Sequence, residues 1–402
     1  MRLLVIELSH SAGTRSVMRE IMPRMTVLCE AVVYCGHDYT SWKSYQNIES
    51  FSFGELVTLF HNWRDSLRKR IGTQRAKDHV FWLYIERLIK SKKITHVFMP
   101  WIISQKIPRL SVPTGGMIMD LLWRHYPDEF AGSHEMDSIL IQNLRNIDIS
   151  FPVSSSTEAE LSYSFDISDL NIATVPHGAA INEETLIGNS CPDLALTPFF
   201  LYPAQTTANK NHLCLFEAVR FLVDRGLDVK IVLTSRSISR LRDGDIRSRY
   251  ESDLYNWLQV NSDLIGTNIE LKGEVSWQEL NTLYRGCAAI VLPSLYEGFG
   301  LPLVEALERN VAVICSGIAP FLEQIDRYQM HDQVCVVDPV NPERLGSVIL
   351  DYLKHNRFLP LSEEELIERL SIWSWDDAAA AYIRFLSNIK TKHGGNMRFE
   401  PC

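Results

Sequence analysis

Two carboxylates, Glu297 and Glu305, bracket the run Gly298-Phe299-Gly300-Leu301 inside the stretch SLYEGFGLPLVEALERN, Ser294–Asn310. The apolar run before it, Ala288–Pro293 (AAIVLP), has the length and Val/Ile content of a buried strand. Pro302 suits a first helical position, where its missing N–H would be unpaired anyway. Strand, glycine-containing turn and helix start together expose backbone N–H groups and the positive end of a helix dipole, which favour an anion beyond the strand end. A helix that starts at Pro302 cannot carry both acids, so Glu297 faces the loop and Glu305 leans in from the first helical turn. Acids beside an anion site suit hydroxyls. A sugar nucleotide would meet every group: pyrophosphate for the amides, ribose hydroxyls for one Glu, sugar hydroxyls for the other. The same spacing also suits an ordinary βα turn with a helix-start Glu favoured by the dipole, and at this level both readings stand.

Strand candidates in the second half are Phe199–Pro203, Val229–Thr234, Asn268–Gly273, Ala288–Pro293, Val311–Cys315 and Gln333–Val337, each followed by a helical or loop segment. Such alternation predicts a parallel doubly wound sheet with ligands outside the carboxyl ends of its strands. The first of these strands runs into PAQTTANKNH, where the Lys210 ammonium could meet a diphosphate as a point charge, with Asn209 and Asn211 as turn formers. The first half opens with a strand, Arg2–Leu8, a loop SHSAGT and a helix from Arg15 to Leu28. It lacks a G-x-G-x-x-G fingerprint and offers Gly13 alone. Next come a strand at Ala31–Cys35, helices at Gly54–Arg70 and Asp78–Lys93, and strands at Ile94–Trp101 and Val112–Leu121. Asp120 lies at the carboxyl end of the last of these, with His125 in the loop beyond. Asp148–Thr157 reads as a strand running into a serine-capped helix, and Asn171–Gly178 as the last strand of this half.

The wording PSLYEGFGLPLVE resembles the E-x7-E motif of retaining GT-B glycosyltransferases, and of their family 4 in particular. The resemblance implies an α/β chain of two Rossmann-like doubly wound parallel-sheet domains facing across a cleft. Residues 1–185 would form the acceptor side and 186–372 the nucleotide-sugar side, with 373–402 a helix crossing back to the first domain and a frayed tail. It implies that Glu297 lies by the donor sugar, that Gly298, Phe299, Gly300 and Leu301 meet the diphosphate through their backbone, and that Glu305 binds the ribose. By the same resemblance Gly13, with Thr14 and His10, faces the donor phosphates, and Gly273 and Val275 in GEVS receive the base through their backbone. Lys210 matches the lysine of a basic pair whose arginine position falls on Gln205. A His-Asp pair of the family falls on Met119 and Asp120. A thioether cannot exchange a proton, so His125 is the candidate for the polar role. SGIAPFLE, VVDP and WSWDDAA are further landmarks.

The activity implied is retaining, metal-independent transfer of a hexosyl unit from a nucleoside-diphosphate sugar to a glycan or lipid-linked glycan. YPAQ followed by KNH resembles mannosyl- and related transferases, which makes GDP-mannose the first guess with dTDP-rhamnose and UDP-hexoses open, the setting being surface polysaccharide synthesis. Glu297, Asp120 and His125 are the groups to test for chemistry, and no cofactor is expected beyond the sugar nucleotide as co-substrate. A GT-B epimerase or phosphorylase is disfavoured by the E-x7-E wording and by the absence of a lysine-anchored cofactor pattern. Met119 and Gln205 keep open a non-catalytic sugar-nucleotide-binding subunit or scaffold.

The chain of 402 residues exceeds one ordinary core. Its net charge of −9 falls wholly in the second half, since Met1–Ala180 balances 19 basic against 19 acidic residues. Residues 64–109 hold 12 basic and 3 acidic side chains among aromatic ones. That composition suits anionic lipid or a lipid-diphosphate acceptor, and equally a solvated helix face. No nucleic-acid motif accompanies it. Eight cysteines without C-x-x-C or metal spacing read as reduced thiols. With no bilayer-length apolar run, and Glu7 interrupting the first strand, the expectation is a cytoplasmic protein with possible peripheral contact at the inner face of a membrane.

Overall fold

The computed structural model describes residues 1–8, 12–36, 42, 47–52, 73–103, 105–130, 132–181, 198–355 and 358–389. They pack as two compact units. One comprises Met1–Leu121, Gly132–Gly178 and Trp375–Cys402; the other comprises Leu122–Ala131 and Ala179–Ser374. The expected boundary at 185/186 and the helix at Gly54–Arg70 fall outside the described residues, as do residues 64–72 of the basic stretch.

The first unit is built on β1 (Arg2–Ile6), β2 (Ala31–Gly36), β3 (Ile48–Ser52), β4 (His96–Met99), β5 (Thr114–Ile118) and β6 (Ile149–Pro152). They form one parallel sheet in the order β3-β2-β1-β4-β5-β6. Parallel strands are covered on both faces, so they are written as continuous apolar runs; Leu3 to Ile6 and Val97 to Met99 are all fully buried. The exception is β3, IESFS, at the sheet edge, where polar residues guard an open ladder and hide the strand from a search for apolar runs. The helix Trp375–Asn388 closes this core from the far end of the chain. Its Tyr382 ring lies 5.1 Å from both Phe98 and Phe151, and its hydroxyl donates to the Val175 carbonyl at 3.2 Å. Trp82 and Phe98, two aromatic members of the basic stretch, are buried here and present no face to a membrane.

Two expectations fail in this unit. Asn171–Gly178 is not a strand: Ile172 makes a single bridge to Ser150, because the next rung of the ladder needs the N–H that Pro152 lacks, although the Val175 N–H still reaches the Pro152 carbonyl at 3.0 Å. Gly13 does not lie in the loop expected before the helix. The helix Ala12–Leu28 already includes it, its φ is not positive, and a Cβ there would meet nothing within 4 Å.

The second unit repeats the plan with β7 (Phe199–Tyr202), β8 (Lys230–Thr234), β9 (Ile269–Gly273), β10 (Ala289–Leu292), β11 (Val313–Ser316) and β12 (Val334–Val337). The parallel order is β12-β11-β10-β7-β8-β9. Counted within each unit and read from the β9 edge, this is the same winding as in the first sheet. The strand order reverses between β7 and β10, and a doubly wound sheet opens a crevice at the carboxyl ends of that pair. Among the described residues no helix is long and apolar enough to cross a membrane.

Among the described residues, each unit buries one histidine. Burial lowers the pKa of His177, packed on Trp375 at 5.2 Å, and of His212, packed on Tyr202 at 4.8 Å, to about 3; Lys210 adds to the shift at His212. The unfolded chain protonates such a ring near 6.5 while the folded one resists, so the unfolded state binds more protons between those values. Stability is therefore full above about pH 6.5 and falls as the solution is acidified, at up to about 1.4 kcal/mol per pH unit for each ring. Thermal melts from about pH 7 to about pH 5 are expected to show the loss, and His212→Phe to flatten it. A flat profile for the native chain would rule this linkage out.

Candidate functional site

The crevice between β7 and β10 receives the loops 203–211 and 293–300. Ile290 pairs with Leu201 in the sheet, so the two loops leave it side by side. Asn209 joins them through its backbone and its side chain: its carbonyl accepts the Leu295 N–H at 2.7 Å and its Nδ2 donates to the Tyr296 carbonyl at 2.9 Å. Asn211, at φ 57°, donates to the Pro293 and Pro339 carbonyls at 3.1 and 2.7 Å. The asparagines read as turn formers are thus the ties that hold the loops in register.

These ties bring two of the sequence candidates together. Lys210 Nζ lies 2.5 Å from Glu297 Oε1, and the Ser294 hydroxyl donates to the same oxygen at 2.8 Å. Neither side chain is more than a fifth exposed, so the pair is screened little by solvent. Below it the Tyr202 hydroxyl donates to the Lys210 carbonyl. Burial first, and then Glu297, push that phenol well above its ordinary pKa, so it stays a neutral donor. Gln205 points elsewhere, its Oε1 accepting the Ser237 N–H at 3.3 Å.

Beyond Glu297 the chain turns at Gly298, buries Phe299 and caps the helix Leu301–Glu308 with Gly300 at φ 94°. The helix starts one residue before the expected Pro302, and its first turn contains no acid. Glu305 therefore lies past the reach of the dipole's strongest effect, contrary to the expectation from sequence. What fixes Glu305 is Tyr284, whose hydroxyl donates to Oε2 at 2.8 Å. Burial, with Glu305 second, raises the Tyr284 pKa well above the ordinary value. Gly273 ends β9 at φ 88° with Ser239 pressed against it, and the Ser239 hydroxyl accepts the Glu274 N–H at 2.7 Å, shaping the loop that leads to Val275.

His125 and Asp120 part company. Asp120 stays with the first unit, whereas the segment Leu122–Ala131 packs with the second. There the His125 ring lies 4.6 Å from that of Tyr296, next to Glu297 in the chain. Glu129 of the same segment accepts from the backbone of Ala208, near Lys210, with its pKa raised chiefly by burial. Tyr284, Ser294, Tyr296 and Asn209 were missed as site residues. The order of Tyr284, Ser294 and Glu297 about the strand Ala289–Leu292 was the available signal. Among the described residues no group of three His, Cys, Asp or Glu side chains is placed to hold a metal ion.

Solved structures share this architecture. A glycosyltransferase from Rickettsia africae ESF-5 matches with a TM-score of 0.64 at 16% identity, covering 96% of this chain and 97% of that one. Anabaena Alr3699/HepE, solved in complex with UDP and glucose, matches with a TM-score of 0.68 at 12% identity, covering 97% and 100%. The fold is GT-B. Within this GT-B chain, residues 196–369 match the family model described as glycosyl transferases group 1, a segment that contains Lys210, Glu297 and Glu305. The chain is also 29% identical over 115 residues to O-antigen chain mannosyltransferase B of Escherichia coli, a stretch covering 29% of each protein. It thus aligns with less than a third of that relative's length.

Proposed function

We propose that this GT-B protein is a retaining glycosyltransferase that moves a hexosyl unit, with GDP-mannose as the first donor to try, onto a glycan or lipid-linked glycan in surface polysaccharide synthesis. The observation that carries the proposal is the Lys210–Glu297 pair, 2.5 Å apart at the strand reversal and beside the helix that opens at Gly300. Similarity to the Escherichia coli O-antigen chain mannosyltransferase B supports the sugar and the setting.

In this reading the donor's diphosphate takes Lys210 from Glu297. The ammonium and the amides of Gly298 to Leu301 then carry the negative charge that builds on the departing diphosphate, a preorganised electrostatic role that needs no metal or added cofactor. Glu297, released from its partner, turns toward the sugar hydroxyls, and Glu305, aimed by Tyr284, holds the ribose. His125, against Tyr296, is a further polar group for the transferred sugar, and Asp120→Ala tests the remaining candidate. The reaction belongs in the cytoplasm, with peripheral contact to anionic lipid through the basic residues of 64–109 as part of this reading.

Titration of the purified protein with GDP-, UDP- and dTDP-sugars, together with assay of slow nucleotide release, tests this. One donor is expected to bind, and Glu305→Ala to weaken it about tenfold to a hundredfold by removing a charged hydrogen-bond acceptor. Equal affinity of the variant for that donor would refute the ribose assignment. Binding without release in the presence of any acceptor would instead favour a sugar-nucleotide-binding subunit.

A further inference from the structure

We infer that Trp277 is a stacking platform for the nucleotide base and helps set which base the protein accepts; this rests on the sugar-nucleotide reading above. Trp277 is 37% exposed. It follows the loop Gly273–Ser276 directly and is the first residue of the helix Trp277–Gly286, whose start is fixed by a reciprocal Ser276–Glu279 capping box. An indole at that place would ordinarily be loosely held. Here one face of it is backed by the Arg309 guanidinium, 5.2 Å from the ring centroid.

Arg309 is unusually well fixed for a support. Its side chain is 1% exposed. Nε donates to Asn281 Oδ1 at 2.8 Å and Nη1 to the Glu305 carbonyl at 2.7 Å, while the same guanidinium lies 4.8 Å from the Tyr284 ring. Trp277, Asn281 and Tyr284 thus present one helix face to a single buried cation, and Tyr284 passes the arrangement on to the Glu305 carboxylate through its 2.8 Å hydrogen bond. The group that would take the ribose and the ring that would take the base are held by one rigid network. In a nucleoside those two parts are joined by a single bond, so their protein partners must lie close and keep a fixed relation. A ring already held by Arg309 loses little freedom when a base stacks on it. Stacking against an aromatic ring tolerates any base, since each has a π face, and its strength differs between purines and pyrimidines.

The test is calorimetric titration of the full chain with UDP, GDP, dTDP and ADP and with inorganic pyrophosphate, for the native protein, Trp277→Ala, Trp277→Phe and Asn281→Ala. Trp277→Ala is expected to lose about tenfold or more in affinity for the preferred nucleoside diphosphate and to compress the ranking among bases. Trp277→Phe should keep most of both, and pyrophosphate should bind all four proteins alike. Asn281→Ala touches the same arginine without offering a ring, and is expected to leave the ranking in place. Unchanged affinity and ranking in Trp277→Ala would overturn the platform, as would an equal loss toward pyrophosphate. Binding of no nucleotide by the native protein would overturn the sugar-nucleotide reading and this inference with it.

Discussion

Lys210→Ala is expected to lower kcat/KM for the proposed glycosyl transfer by about 100- to 1000-fold, the range seen when one preorganised charge stabiliser is removed from a reacting site. The size follows from the scarcity of positive charge at the strand reversal. The neighbouring position where a second cation would be useful is Gln205, whose amide oxygen is already engaged by the Ser237 N–H. Little else in the two loops can neutralise a departing diphosphate. Lys210→Arg should recover only part of the rate, because a planar fork does not place its charge where a compact ammonium does. The folded state should register the change modestly, because Glu297 keeps the Ser294 hydroxyl. A loss of rate much larger than the loss of melting temperature is therefore the signature. If Lys210→Ala transfers sugar within about threefold of the native rate, Lys210 does not carry the leaving-group charge.

Gly300→Ala is expected to be the most damaging small substitution in the second unit. At φ 94° an added side chain is strained, and a Cβ would come to 2.6 and 2.7 Å from the Cε1 and Cδ1 atoms of Phe321. Phe321 is 1% exposed in the helix Ala319–Arg327 and has nowhere to retreat. Backbone strain and overpacking together should cost roughly 2–5 kcal/mol. At about 2–4 °C per kcal/mol for a unit of this size, that is a fall of roughly 5–20 °C in melting temperature. Gly13→Ala is the matched control, being helical and facing open space, and should be neutral or slightly stabilising. Equal behaviour of the two variants would contradict the geometry given for Gly300.

The sheets of both units were largely legible from sequence because parallel strands must be apolar along their whole length, which AAIVLP and RLLVIEL display openly. The winding order was not, since it depends on which runs pair rather than on what they contain. Strand β3 was hidden by the polar residues an edge tolerates, and Asn171–Gly178 looked like a strand because nothing in its own composition reveals that its neighbour carries Pro152. In the site, Lys210 and Glu297 were each visible as residues of the right type beside a strand end. Their meeting at 2.5 Å was not visible, because it is set by hydrogen bonds from Asn209 and Asn211 to another loop. Glu305 was placed in the first turn of a helix that starts one residue earlier than expected, and its partner Tyr284 went unnoticed because the two sit on different helices that only tertiary packing brings together.

The exchange of segments between the units bears on the order in which a growing chain can fold. The first sheet is complete once β6 has been made, yet the face beside Phe98 and Phe151 stays open until Tyr382 has been synthesised. The second unit, in turn, takes in a segment, Leu122–Ala131, made long before any of its strands. Neither unit is a continuous piece of chain, so neither can be finished on the ribosome before the other is nearly whole. A nascent chain halted before Trp375 would carry an uncovered apolar face on its oldest part, and that species, rather than the finished protein, is the form most in need of a chaperone.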